Sequence, residues 1–175
     1  MRIFIAGASG VLGRALLPLL VGHDVAGTTR SRPEVVRALG AEPIVLDAFD
    51  RPRVLETVNA ARPDVVVDLL TDLQGRDFDA NNRIRREATP ILVEAAIAAR
   101  VRRLVVESIA FGVSAESATA RDEMERTALA SGLDVAIVRL GRLWGPGTWS
   151  AEPGDGGSWM SIERAAARLR DATLR

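Results

Sequence analysis

Gly7, Gly10 and Gly13 stand three apart in Gly7-Ala8-Ser9-Gly10-Val11-Leu12-Gly13, directly after the apolar run Arg2-Ile3-Phe4-Ile5-Ala6. Residues without a Cβ do specific work at that spacing between a strand and a helix. The first permits a tight exit from the strand, the second lets backbone approach a pyrophosphate, and the third lets the helix pack close to the sheet. Unpaired amides at the start of the helix then face the anion. The spacing is G-x-x-G-x-x-G rather than G-x-G-x-x-G. Its place between a first strand and an amphipathic segment, with a second strand at the right distance, makes it a dinucleotide-binding turn. The predicted contacts are Gly7, Ser9, Gly10, Val11, Leu12 and Gly13, with Leu69 and Leu70 at the end of the fourth predicted strand.

The end of the second predicted strand selects the dinucleotide. An acidic residue there takes a ribose 2′-hydroxyl, whereas Arg suits a 2′-phosphate. The chain has Thr28-Thr29-Arg30-Ser31-Arg32. The guanidinium fork matches phosphate geometry, so Arg30 and Arg32 favour NADP over NAD, the alternative. General use of Arg leaves ordinary surface cations as the other reading. Asp47, after the third strand, is placed to reach the adenine amine or to cap the next helix.

Other chemistries lack their residues. There is no Cys and only one His, His23, which removes thiol catalysis, disulfides and multi-histidine metal sites. There is no Tyr, and all 23 basic residues are Arg, balanced by 23 acidic ones. A net charge of zero gives no field that recruits nucleic acid or an acidic membrane. No apolar run approaches the roughly 18 residues of a membrane span. The first strand begins at once, leaving no room for a signal peptide, so the expectation is a soluble cytoplasmic protein.

The elements that must hold these residues alternate along the chain. Strands are predicted near residues 2–6, 24–29, 42–46, 64–69, 103–107 and 134–139. Helices are predicted near residues 12–21, 33–39, 51–61, 81–99 and 116–131. Val65-Val66-Val67 and Leu104-Val105-Val106 are continuous apolar runs, as in strands covered on both faces. Gly40 and Gly132 fall where helices stop. Strict alternation implies an α/β fold: a doubly wound parallel sheet of about six strands, order 3-2-1-4-5-6, with the ligand crevice where the order reverses. Residues 1–147 form this predicted dinucleotide-binding domain. Residues 148–175 are a Gly-rich linker and one amphipathic helix, carrying Ile162, Ala165, Ala166 and Leu169 and capped by Ser158 or Ser161, without a full substrate domain.

The chain resembles the extended and atypical short-chain dehydrogenase/reductase family, the NAD-dependent epimerase/dehydratase group. The resemblance rests on the glycine turn, on Gly22-His23-Asp24-Val25, and on Arg62-Pro63-Asp64-Val65-Val66-Val67-Asp68-Leu69. It continues through Glu87-Ala88-Thr89, Val101-Arg102-Arg103-Leu104-Val105-Val106-Glu107-Ser108, and the Arg139-Leu140-Gly141 segment ending in Gly145-Pro146-Gly147. It implies a nicotinamide cofactor, and a homodimer formed through the helices near residues 81–99 and 116–131, where Ala95, Ala99 and Ala128 permit close approach or pack on the sheet. It also implies catalysis by a Tyr-x-x-x-Lys motif on the fifth helix.

That motif is absent. Counting back from Glu125, its positions hold Ser117 and Arg121, and the family's catalytic Ser or Thr falls near Ser108 or Ile109, with Ser108 the nearest hydroxyl. An alkyl hydroxyl does not match a phenol as acid or base, and Arg does not titrate. Three functions follow. One is cofactor binding without standard catalysis. Another is a non-standard NADP-dependent reductase or epimerase acting on a small carbonyl or nucleotide-sugar-like substrate, with Ser108, Ser117, Asp68 or Asp72 supplying protons. The third is a shortened paralogue that pairs with a full-length partner.

Overall fold

A computed structural model describes residues 1–73 and 76–175 of the chain. Six strands, β1 (Arg2–Ala6), β2 (Asp24–Thr29), β3 (Glu42–Val45), β4 (Val65–Asp68), β5 (Arg103–Ile109) and β6 (Asp134–Leu140), form one parallel sheet. Their order is β3-β2-β1-β4-β5-β6, as the alternation predicts. Helices α1 (Val11–Leu16), α2 (Pro33–Ala38), α3 (Arg51–Ala61), α4 (Phe78–Arg83), α5 (Thr89–Ala98), α6 (Ala115–Leu129) and α7 (Ile162–Thr173) cover it.

Successive strand residues point to opposite faces, so each apolar strand feeds two cores. Ile3, Ile5, Val65, Val67 and Val105 pack with Leu12 and Leu16 of α1 and Ala165 and Leu169 of α7. Phe4, Val66, Leu104 and Val106 pack with Val54 and Val58 of α3, Leu92 and Val93 of α5, and Met124 of α6. Each large side chain removed from water contributes about 1.5–3 kcal/mol, which is what holds the helices to the sheet. Ala95 and Ala128 are fully buried in this second core. They pack within one chain, on the sheet.

Four local features depart from the expected elements. The helix expected over residues 12–21 ends at Leu16, and Leu17–Leu20 continues as a 3₁₀ turn around Pro18, which has no N–H to donate. The helix expected over residues 81–99 starts at Phe78, where Asp77 Oδ1 accepts from Ala80 N at 2.9 Å. It then widens into a π-turn at Ile84–Ala88 before α5, whose second residue is Pro90. The proline removes an i→i−4 donor, and the wider turn absorbs the break. Finally, the Gly-rich region contains β7 (Arg142–Trp144) and β8 (Trp159–Ser161), paired in parallel outside the main sheet. Of the two proposed caps for α7, Ser161 is the one used, accepting from Arg164 N at 3.2 Å.

Candidate functional site

The glycine turn sits at the carboxyl end of β1, where the strand order reverses between β1 and β4. Gly7 has φ +85°, and its N–H donates to Thr28 Oγ1 at 3.2 Å. Ala8 N donates to Thr28 O at 2.9 Å, and the Ser9 and Thr29 hydroxyls share a 2.7 Å bond. The turn is thereby fixed to β2 before any ligand arrives.

The three glycines have different neighbours. A Cβ at Gly7 would lie 2.7 Å from Leu69 O, and one at Gly13 would lie 2.3 Å from Ala8 O. Both positions are needed for backbone packing. At Gly10 a Cβ would meet only Gly7 O, at 3.1 Å, and otherwise project into open space. The amides of Val11, Leu12 and Gly13 precede the first intrahelical bond, Arg14 N to Gly10 O. A pyrophosphate fits here, because the loop offers amides and one face with no side chain.

Beside the turn, Phe4, Ala6, Leu46, Ala48, Leu70 and Leu92 line a small apolar recess of about 10 Å³, room for roughly one water. Leu69 is buried and Leu70 half-buried. Asp47 is exposed, and its Oδ1 accepts from Phe49 N at 3.0 Å. The cap of α3 is Asp50, not Asp47. Arg32 is half-buried, with its N–H on Thr29 Oγ1 at 3.1 Å. Arg30 is exposed and donates to Asp72 Oδ2 at 3.1 Å, linking the loop after β2 to the loop after β4.

A second polar group of residues gathers at the carboxyl ends of β4 and β5. Ser117, Arg121 and Glu125 lie four apart on one face of α6. Ser108, fully buried on β5, donates to Glu125 Oε1 at 2.5 Å. Arg139 of β6 holds the same carboxylate through both oxygens, at 3.0 and 2.5 Å. This guanidinium keeps the Glu125 carboxyl below the usual carboxylate range, against the opposing effect of burial. Ser117 is buried, with its N–H on the Ser114 cap at 3.3 Å. Arg121 is half-buried and pairs with Asp122 at 2.7 Å.

Three further residues belong to this group and were not singled out from the sequence. Burial pushes the Glu107 carboxyl up to about 7, with Arg85 opposing and Asp68 adding to the rise. Arg85, in the π-turn, is itself buried. Asn82 is buried on α4. Asp68, named earlier as a proton source, accepts from Leu70 N at 3.0 Å and Thr89 Oγ1 at 2.8 Å, and burial raises it. The available signal was a carboxylate directly after a run of valines, at both Asp68 and Glu107. Among the described residues no cluster of three or more metal-ligating side chains occurs, and no helix is long and apolar enough to cross a membrane.

Comparison with known proteins agrees with this geometry. A model of the NAD(P)H-binding family matches residues 7–165. The chain belongs to that family. It is 38% identical over 193 aligned positions to 3-diazoavenalumate denitrifying reductase of a Streptomyces species, an alignment covering 93% of this chain. The chain spans 62% of the length of that relative. Its fold is that of the epimerase/dehydratase group. Thermus thermophilus UDP-glucose 4-epimerase, solved with NAD, superposes with a TM-score of 0.83 at 17% identity, over 100% of this chain and 75% of the other. The Bordetella bronchiseptica enzyme WbmH, solved with NAD+, gives 0.81 at 18% identity, over 98% and 71%.

Proposed function

We propose that the protein is a nicotinamide-dependent reductase that prefers NADP and works without a phenolic acid. The observation that carries the reductase reading is the 38% identity to 3-diazoavenalumate denitrifying reductase. Residues 1–147 are the dinucleotide-binding unit in this reading, with residues 148–175 adding the Gly-rich connection and α7.

The amides of the Gly7–Gly13 turn hold the pyrophosphate, with Ser9 bracing the loop through Thr29. Leu69 and Leu70 border the adenosine, Asp47 stands at its edge, and Arg30 and Arg32 take the 2′-phosphate. When bound, the nicotinamide supplies hydride. A carbonyl that accepts hydride must also gain a proton, the task of the family's Tyr. A carbon bearing a diazonium group instead forms its C–H bond as the C–N bond breaks, and dinitrogen leaves with that electron pair. Such a substrate asks no proton of the protein. The absence of Tyr and Lys is then compatible with turnover rather than opposed to it. The remaining task of Ser108, Ser117, Arg121 and their neighbours is to orient the substrate and exclude water.

Titration with NADPH, NADP and NAD, followed by nicotinamide oxidation assays on an arenediazonium salt and a carbonyl panel, tests this. Expected are binding of NADPH and NADP ahead of NAD, and oxidation with the diazonium but not the carbonyls. Cofactor binding without oxidation by any of them would favour the second reading, a binding protein without turnover. The Ser108 proton already committed to Glu125 is the observation on that side.

A further inference from the structure

Three charged residues are buried among the described ones: Asp68, Arg85 and Glu125. Two are satisfied, Asp68 by Leu70 N and Thr89, Glu125 by Arg139 and Ser108. Arg85 is different. It is 6% exposed, and among the described residues it makes no hydrogen bond or ion pair, feeling Glu107 and Glu125 only through space. Three residues earlier, at 3% exposure, Asn82 has its Oδ1 sealed from solvent with no donor. Two unpartnered polar groups thus sit about one helical turn apart, on the segment that flanks the carboxyl ends of β4 and β5.

An Arg cannot escape burial by losing its proton, as a Lys does, and an unpaired buried charge is strongly unfavourable. Glu107 and Glu125 offset part of that penalty through space, and a ligand oxygen that hydrogen-bonds the guanidinium would remove the rest. We propose that Arg85 is an anion-binding residue that holds a carboxylate of the substrate, with Asn82 accepting from a hydroxyl or amide of the same molecule. The inference rests on the reductase reading, which puts the substrate at this end of the sheet.

The surroundings select the class of anion. The guanidinium fork matches two coplanar oxygens. Glu107 of β5 and Glu125 of α6 bring carboxylates toward Arg85, with Asp68 of β4 facing Glu107 and Arg139 of β6 holding Glu125, while Arg121 of α6 adds a cation already paired with Asp122. A doubly charged phosphate meets more repulsion there than a singly charged carboxylate. Glu107, held up to about 7 by burial, is largely protonated below neutral pH and leaves Arg85 free for an external anion.

The test uses the full chain saturated with NADP, with benzoate, benzamide and inorganic phosphate as calorimetric probes. Benzoate is expected to bind about tenfold or more tighter than benzamide, the scale of one charge-assisted hydrogen bond, and tighter than phosphate. Binding should weaken from pH 6 to pH 8. Arg85→Met should lose benzoate and keep its affinity for NADP, and Arg85→Lys should retain part of it. Equal affinity for benzoate and benzamide, or an undiminished benzoate affinity in Arg85→Met, overturns the proposal. Phosphate binding ahead of benzoate overturns the carboxylate assignment. If Arg85→Met does not fold, the wild-type comparison of the three probes still decides. Failure of NADP itself to bind rejects the reductase reading, whereas NADP binding without benzoate binding rejects this inference alone.

Discussion

Ser108 Oγ and Glu125 Oε1 are 2.5 Å apart, and Arg139 grips the same carboxylate from the neighbouring strand. The hydroxyl nearest the family's catalytic position is therefore one corner of a Ser–Glu–Arg network joining β5, α6 and β6, buried at Ser108 and Glu125 and open to solvent at Arg139. Its proton points at a carboxylate rather than at an open substrate position. Removing Glu125 leaves the buried Ser108 hydroxyl without an acceptor while the exposed Arg139 stays hydrated, so Glu125→Ala should destabilise by about 1–3 kcal/mol, and Ser108→Ala by about 1 kcal/mol. Chemical denaturation of both variants measures this, and equal small losses would show the network to be slack.

The glycine turn separates binding from folding. Gly10→Val places its side chain in the space that the pyrophosphate needs and should abolish dinucleotide binding by calorimetry while the melting temperature stays close to wild type. Gly13→Ala drives a Cβ onto the Ala8 carbonyl and should cost about 1–3 kcal/mol of stability. Tight NADP binding by Gly10→Val would remove the turn from the site.

In the proposed function, cofactor preference depends on competition for Arg30. Its pair with Asp72 is a surface ion pair, worth about 0–1 kcal/mol, whereas a charge-assisted bond to phosphate contributes about 1.5–3 kcal/mol. The phosphate wins. Arg30→Ala should weaken NADP about tenfold or more and leave NAD nearly untouched. Asp72→Asn should tighten NADP by freeing the guanidinium. Equal losses for both cofactors in Arg30→Ala would exclude a 2′-phosphate contact.

Glu107 sets a pH dependence of stability. Its carboxyl is raised to about 7 in the folded chain, above the ordinary 4.5, so the folded state holds the proton more tightly. The resulting stabilisation is fully present below about pH 4.5 and is lost as pH rises through 7. Asp68 is shifted in the same direction, while Glu125 is shifted in the other. Glu107→Gln should flatten the decline between pH 5 and 8 and raise stability at pH 8 by about 1–3 kcal/mol. An unchanged slope in urea titrations across this range would place the titration elsewhere.

Carbonyl reduction by the wild type should be slow, because general acid–base help of about 10²–10⁴-fold is missing. Ser117→Tyr with Arg121→Lys rebuilds the family motif on the same face of α6 and should raise the rate. Ser117 is buried, so the new ring must reach the crevice by displacing neighbours, and a thermal melt of the double variant is the control. Brisk wild-type carbonyl reduction that survives Ser117→Ala and Arg121→Ala would move the chemistry to Ser108, Glu107 or the Asp68–Asp72 loop.

The sequence by itself determined the sheet order and the glycine turn. Both are written locally: continuous apolar runs such as Val65-Val66-Val67 mark strands covered on two faces, and glycine spacing marks a backbone path with no room for a Cβ. Short-range rules sufficed because the relevant neighbours lie within a few residues or repeat with a fixed period. The charged groups behind the turn obey no such rule. Arg30 meets Asp72 across 42 positions, and Ser108 reaches Glu125 across 17. Arg85 and Asn82 look in sequence like ordinary polar positions of an exposed helix. Only the packing of α4, α5 and α6 against β4 and β5 takes them out of water. Burial is a property of the whole assembled surface, and no local pattern in an Arg-rich chain distinguishes the one buried guanidinium that, among the described residues, folding leaves without a hydrogen bond.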